Sequence, residues 1–263
     1  MEFDIALAII ASAIGLLVGL TGVGAGALMT PVLIIGFGVN PSIAIATDLL
    51  YASVTKAAGG LTHLRHRGVQ WLVLRRLWIG GMIGVSAGVA LVFFLVDSQL
   101  DNEALRLILA GVILFAAASL LVRSVRAKSL LDEQEGESNR SNRTLTIGGG
   151  AGIGLAVSLT SVGAGALGMA LLARVSPRGT PPRALVGTDL LFAIPIALVA
   201  GISYVFGGLV DFELLANLLI GSIPGVVVGS ALAGNAPARF LSFVIGLALI
   251  AAAAFMVSSV FAN

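Results

Sequence analysis

Cysteine is absent from the 263-residue chain, which removes disulfides, thiolate nucleophiles and cysteine-bound metals together. Histidine occurs twice, at His63 and His66, too few to build a metal centre, so neither metal nor other cofactor is expected. Charge is scarce as well. Asp, Glu, Lys and Arg make up 11% of the residues, against about 25% in soluble domains. The net charge is +2 and the sequence pI about 9.5, but the basic residues sit at the ends of apolar runs, which argues against a nucleic-acid partner. What remains is apolar: 58% of the residues, with a mean hydropathy of +1.07, the composition of an integral membrane protein. The start, Met1-Glu2-Phe3-Asp4, is acidic where a secretory signal peptide is positive, so the first apolar run is expected to belong to the mature protein.

The chain repeats itself. Leu20-Thr21-Gly22-Val23-Gly24-Ala25-Gly26-Ala27-Leu28 returns 139 residues later as Leu159-Thr160-Ser161-Val162-Gly163-Ala164-Gly165-Ala166-Leu167. Thr47-Asp48-Leu49-Leu50 returns at an offset of 141 as Thr188-Asp189-Leu190-Leu191, and Gly80, Gly84 and Gly88 return at the same offset as Gly221, Gly225 and Gly229. Three landmarks in one order define a duplicated unit of about half the chain. The expected organisation is a first transmembrane repeat over 1–122, a charged linker over 123–143 and a second repeat over 144–263. The linker holds nine of the 28 charged residues and has little from which to build a core.

Six runs are long enough for a bilayer core, which takes ~20 residues: Ser42–Leu64, Leu72–Val96, Leu105–Val122, Arg183–Phe206, Phe212–Leu232 and Phe240–Phe261. Ahead of each group of three lies a shorter pair of arms broken at a Gly-rich tip. The first is Ile5–Leu20 and Ala25–Gly38; the second is Ile147–Leu159 and Ala164–Ala173. Basic residues set the orientation. Arg65, Arg67, Arg75 and Arg76, then Arg123, Arg126, Lys128, Arg140 and Arg143, then Arg174, Arg178 and Arg183, and finally Arg239 mark cytoplasmic connections. The acidic stretches from Asp97 to Glu103 and from Asp211 to Glu213 lie outside. These sides close only if each broken hairpin starts and ends on one side. Each repeat is then a hairpin plus three crossings, and an odd number of crossings inverts the second copy. The fold class expected is therefore an all-α polytopic membrane protein of two inverted-topology repeats. It is placed in the cell (inner) membrane with both termini outside and the linker cytoplasmic.

Inverted repeats with broken helices put a substrate site at the repeat interface. At the tips, Gly22, Gly24, Gly26, Gly163 and Gly165 let a ligand approach backbone closely, and the arm leaving each tip offers free N–H groups and a positive dipole end. Thr21, Thr160 and Ser161 add hydroxyls, and Val23 and Val162 complete the tips. The other reading of the same glycines is close helix packing. Asp48 and Asp189, each about seven residues into a span, are costly in hydrocarbon. They suit proton exchange, polarisation of Thr47 and Thr188, or capping of their own repeat's hairpin. Lys56, two turns beyond Asp48 on the same face, is matched by Ala197 in the other repeat. It suits charge neutralisation, anion attraction or snorkelling to the interface. The stripes Gly80/Gly84/Gly88 and Gly221/Gly225/Gly229 are explained by helix packing, and Trp71 and Trp78 by interfacial anchoring. Gly84-Val85-Ser86-Ala87-Gly88 matches a serine-hydrolase elbow in letters only, since it lies inside an apolar span.

The sequence resembles the TauE/SafE family of sulfite and organosulfonate exporters, also called the toluene sulfonate uptake permease family. The likeness lies in Gly22-Val23-Gly24-Ala25-Gly26 with Pro31, in Ala44–Leu50 ahead of Thr62-His63-Leu64-Arg65, and in Val186-Gly187-Thr188-Asp189 with Gly221-Ser222-Ile223-Pro224-Gly225. It implies a cell-membrane carrier for small sulfur-containing anions, often outward. The expectation is a secondary transporter, not an enzyme. It would hold the anion at the hairpin tips by alternating access, with protons as candidate coupling ions. A passive anion channel and, further off, a membrane-embedded hydrolase are the alternatives.

Overall fold

A computed structural model of the chain describes residues 5–21, 29–30, 32–64, 69–97, 143–161, 165–177 and 179–232. The regular elements among them are all helical: α1 (Ile5–Thr21), a π-helical turn (Val32–Gly36), α2 (Pro41–Leu64), α3 (Trp71–Asp97), α4 (Arg143–Thr160), α5 (Ala166–Val175), α6 (Pro182–Phe206) and α7 (Phe212–Leu232). The expected spans Leu105–Val122 and Phe240–Phe261, the first Gly-rich tip and residues 123–142 of the linker lie outside the described set.

Among the described residues, three helices are long and apolar enough to cross a membrane: α3 over Trp71–Phe94, α6 over Ala184–Phe206 and α7 over Phe212–Gly229. Helix α2, with 24 residues, has the length, about 36 Å at 1.5 Å per residue. It is more polar because it carries Thr47, Asp48, Ser53, Thr55 and Lys56, all buried against other helices. The apolar side chains left exposed form stripes on the outer helices. On α3 they are Ile79, Ile83, Leu91 and Phe94, and on α7 Ile220, Ile223, Val227 and Val228. Such continuous apolar faces suit hydrocarbon rather than water.

The second hairpin breaks where the sequence says it should. Helix α4 ends at Thr160, and Ser161 takes a left-handed φ of 57°. Gly165 then stands as N-cap of α5, a helix of only ten residues, about 15 Å long and so half a bilayer core. Helix α1 corresponds to the first arm of the other hairpin, ending at Thr21.

The halves interlock reciprocally. Helix α1 packs on α7 and α4 packs on α3, while α2 and α6 meet in the centre. The glycine stripes make the outer pairs possible. A Cβ on Gly221, Gly225 or Gly229 would run into the main-chain oxygen of Ala8, Ser12 or Leu16 of α1. A Cβ on Gly80 or Gly84 would run into that of Ile147 or Ala151 of α4, and one on Gly88 into the Ser158 hydroxyl. Ala8, Ser12 and Leu16 are the repeat equivalents of Ile147, Ala151 and Leu155 at offset 139, so both interfaces have one register. Backbone-to-backbone approach of this kind is what small residues provide in helices that have no water-driven reason to associate.

Two apolar cores result. One joins Ile45 and Leu49 of α2 to Leu74 and Leu77 of α3, Ile153 of α4, Leu172 of α5, and Phe192 and Ile196 of α6. The other joins α1, the π-helical turn, Tyr51 of α2 and Leu218 of α7. Pro195 lies inside α6 and has no N–H to give the carbonyl four residues back. That carbonyl, of Leu191, accepts instead from the Trp78 indole at 3.2 Å. Trp78 thus has a specific structural partner in addition to its place near the basic loop.

Candidate functional site

The site is built on the two central helices. Thr47 and Asp48 sit on α2 and Thr188 and Asp189 on α6, all 3% exposed or less. An aspartate at that depth must find partners inside the protein, and each turns towards the second arm of its own half. Thr30 donates its hydroxyl to Asp48 Oδ2 at 2.5 Å. Asp189 Oδ1 presses on α5 so closely that a Cβ on Gly168 would collide with it. Both carboxyls therefore help to position a hairpin arm. For Asp48 the contact is chiefly a threonine hydroxyl, where a backbone N–H cap was one expectation.

The threonines beside them join the halves. Thr47 Oγ1 accepts the main-chain N–H of Asp211, just ahead of α7, at 3.1 Å. Thr188 Oγ1 accepts that of Gln70, just ahead of α3, also at 3.1 Å, and donates to the Ala184 carbonyl at 2.7 Å. Gln70 and Asp211 are themselves repeat equivalents at offset 141. Each threonine thus ties the start of the other half's next helix to a central helix.

Lys56 is 6% exposed. Its charge lies within reach of Asp189 first and Asp48 second, which links α2 to α6 electrostatically. At the second tip Thr160 donates to the Ala156 carbonyl at 2.7 Å, which ties it to its own helix. The Ser161 hydroxyl is buried and makes no well-aligned hydrogen bond among the described residues, and it lies close enough to act on Asp48. Gly165 is the N-cap of α5 and makes no side-chain cap hydrogen bond. Thr21 closes α1, with its side chain outside the described set; Gly22, Val23, Gly24, Gly26, Val162 and Gly163 lie wholly outside it. Around Asp48 the structure therefore gathers Ser161, Lys56 and, from the sequence reading's blind side, Thr30, Tyr51 and Ser222. Tyr51 OH and Ser222 Oγ are buried without well-aligned partners and lie near one another. A signal for them was present: Thr30, Tyr51 and Ser222 are polar where their repeat equivalents Met169, Phe192 and Gly81 are not.

Apolar helices with lipid-facing stripes, a helix broken part-way and a buried charged cluster between duplicated halves define a polytopic helical membrane protein. Residues 7–256 match the family model described as sulfite exporter TauE/SafE. The chain is 36% identical over 234 residues to the probable membrane transporter protein YjnA of Bacillus subtilis, covering 88% of this chain and 91% of that one. It is 28% identical over 248 residues to a probable membrane transporter protein of Xylella fastidiosa, covering 93% and 91%. No solved structure matches it. The chain belongs to the TauE/SafE sulfite exporter family of membrane transporters.

Proposed function

We propose that the protein is a secondary carrier that exports small sulfur-containing anions such as sulfite or organosulfonates. The observation that carries this reading is the duplicated Gly-rich tip, seen in the second half as a break between α4 and α5 beside a buried Asp–Lys–Asp cluster. The two halves, 1–122 and 144–263 joined by the linker, are inverted repeats in the inner membrane with both termini outside. The reciprocal pairing of α1 with α7 and of α4 with α3 supports that relation. The anion binds near the midplane, where the N-terminus of α5 and its counterpart in the first half offer N–H groups and a positive dipole end. Of the hydroxyl residues in this reading, Thr21, Thr160 and Ser161 belong to the tips, and Thr47 and Thr188 precede the two aspartates. Lys56 offsets the two carboxylates, which would otherwise repel the substrate. Alternating access comes from the α2–α6 centre moving against the outer pairs, and proton exchange within the Asp48–Asp189 pair couples it to a gradient.

The test is flux from sealed proteoliposomes loaded with sulfite, thiosulfate, sulfoacetate or taurine, with and without a pH gradient. Saturable, gradient-dependent movement of one anion, lost in Gly24→Leu/Gly163→Leu protein that still folds, is the expected result. Flux that neither saturates nor responds to a counter-gradient would mean a passive channel. Failure of all four anions would remove the sulfur-anion reading.

A further inference from the structure

The halves share a fold but not a polarity. The residues gathered around Asp48, namely Thr30, Tyr51, Lys56, Ser161 and Ser222, correspond in the other repeat to Met169, Phe192, Ala197, Gly22 and Gly81. The contrast is physical as well as literal. Gly81 packs so tightly on Phe192 that an added Cβ would lie 2.7 Å from its ring. At the equivalent place Ser222 and Tyr51 put two buried hydroxyls near each other.

Ser161 carries the argument furthest. Its φ of 57° belongs to a region that glycine enters freely and serine does not, and its repeat equivalent is Gly22. Backbone geometry alone would select glycine at 161. A residue held in a disfavoured conformation points to a use for its side chain. That side chain is a buried hydroxyl close to Asp48, whose Oδ1 also has no well-aligned partner among the described residues, while Oδ2 is taken by Thr30.

A hydroxyl partner differs from a backbone N–H in one respect that matters. It donates to a carboxylate and accepts from a carboxylic acid. With Ser161 at Oδ1, Asp48 keeps a partner in either protonation state. An N–H at the same place would serve only the ionised one. The ionisable and charged groups facing Asp48 are Tyr51 and Lys56 from its own helix and, across the boundary, Asp189 of α6, whose charge acts most directly on Lys56.

Resting on the carrier reading, we propose that Asp48 is the single proton-exchanging carboxyl of this transporter, positioned by Ser161 and Thr30, with Tyr51 and Ser222 extending its hydroxyl network towards α7. Asp189, beside Lys56, carries no proton through the cycle. Loading takes a proton from hydronium on one side, breaking its O–H bond and forming one at Asp48 Oδ1, as the Ser161 hydroxyl turns from donor to acceptor. Release breaks that bond and returns the proton to water on the opposite side, one per cycle.

The experiment is an infrared pH titration of the carboxyl C=O band of the full chain in lipid nanodiscs, with no substrate present, for wild type, Asp48→Asn, Asp189→Asn, Ser161→Gly and Thr30→Val. A buried carboxyl band that titrates in wild type, persists in Asp189→Asn and disappears in Asp48→Asn is expected. Ser161→Gly relieves the backbone and should fold at least as well, yet move the titration midpoint by about one pH unit, a tenfold change in proton affinity. A band that survives Asp48→Asn, is lost in Asp189→Asn or is missing from wild type overturns the proposal. So does a Ser161→Gly midpoint that stays in place, which is what a purely structural serine would give. Should Asp48→Asn fail to fold, Ser161→Gly and Thr30→Val decide the matter. Sulfite flux from proteoliposomes of the same proteins separates the two readings. A titrating Asp48 with no sulfite movement removes only the substrate assignment.

Discussion

Replacing Gly84 by alanine adds one methyl group at the tightest kind of contact in the molecule. The new Cβ would overlap the Ala151 carbonyl oxygen and lie 2.8 Å from both the Ala151 carbonyl carbon and the Leu155 nitrogen. Those atoms are α4 backbone, which no rotamer change can move. Restoring carbon contacts of ~3.5–4.0 Å requires α4 to retreat from α3 by about an ångström, loosening the apolar contacts of Val85, Ile153 and Val157 with it. Overpacking of this kind costs about 1–3 kcal/mol. Gly148 and Gly152, on the same α4, have nothing within 4 Å of a built Cβ among the described residues. Alanine there should stabilise the helix by up to about 1 kcal/mol, since only the propensity difference remains. The two classes should therefore separate by roughly 1–4 kcal/mol in reversible unfolding from micelles into dodecyl sulfate. Gly225→Ala, against Ser12 of α1, should match Gly84→Ala. If Gly84→Ala and Gly148→Ala unfold alike, the proposed register of α3 on α4 is wrong.

Removing the Trp78 indole donor with Trp78→Phe should cost about 1–2 kcal/mol by stranding the Leu191 carbonyl. In a Pro195→Ala background, where α6 can supply its own N–H, a double-mutant cycle should show most of that cost gone; an unchanged cost would mean the indole acts by packing. Thr47→Val and Thr188→Val should each destabilise by about 1 kcal/mol, measured by thermal unfolding in detergent, because each strands one N–H at the start of a helix in the other half. Unequal effects would contradict their equivalent geometry. Gly168→Ala should be worse than either, displacing α5 from Asp189, and should be read as lost folded yield; wild-type yield and stability would refute that contact.

The architecture was legible because duplication prints the same landmarks twice. The broken second hairpin lies where Thr160-Ser161-Val162-Gly163 suggested, and the glycine stripes do what their spacing of four implies. The sequence did not reveal which helix each stripe faces. Gly80/Gly84/Gly88 and Gly221/Gly225/Gly229 meet the first helix of the opposite half, a pairing that residue spacing cannot encode. Thr47 and Thr188 were read by their neighbours, the aspartates, whereas their hydroxyls accept N–H groups of Asp211 and Gln70, far along the chain. Thr30 and Tyr51 escaped notice for a related reason. Comparing the repeats for what they share finds the common scaffold, and comparing them for where polarity differs finds Asp48's surroundings.

The exchange of first helices between halves also governs how the protein can be made. Helix α1 is synthesised before α7, and the residues it nests against, Gly221, Gly225 and Gly229, come more than 200 positions later. At 5–20 residues per second, α1 waits roughly 10–40 s in the membrane before its groove exists. Throughout that interval its small-residue face, around Ala8, Ala11 and Gly15, is open to any other helix. A truncation that removed α7 would leave that face of α1 without the backbone it packs on.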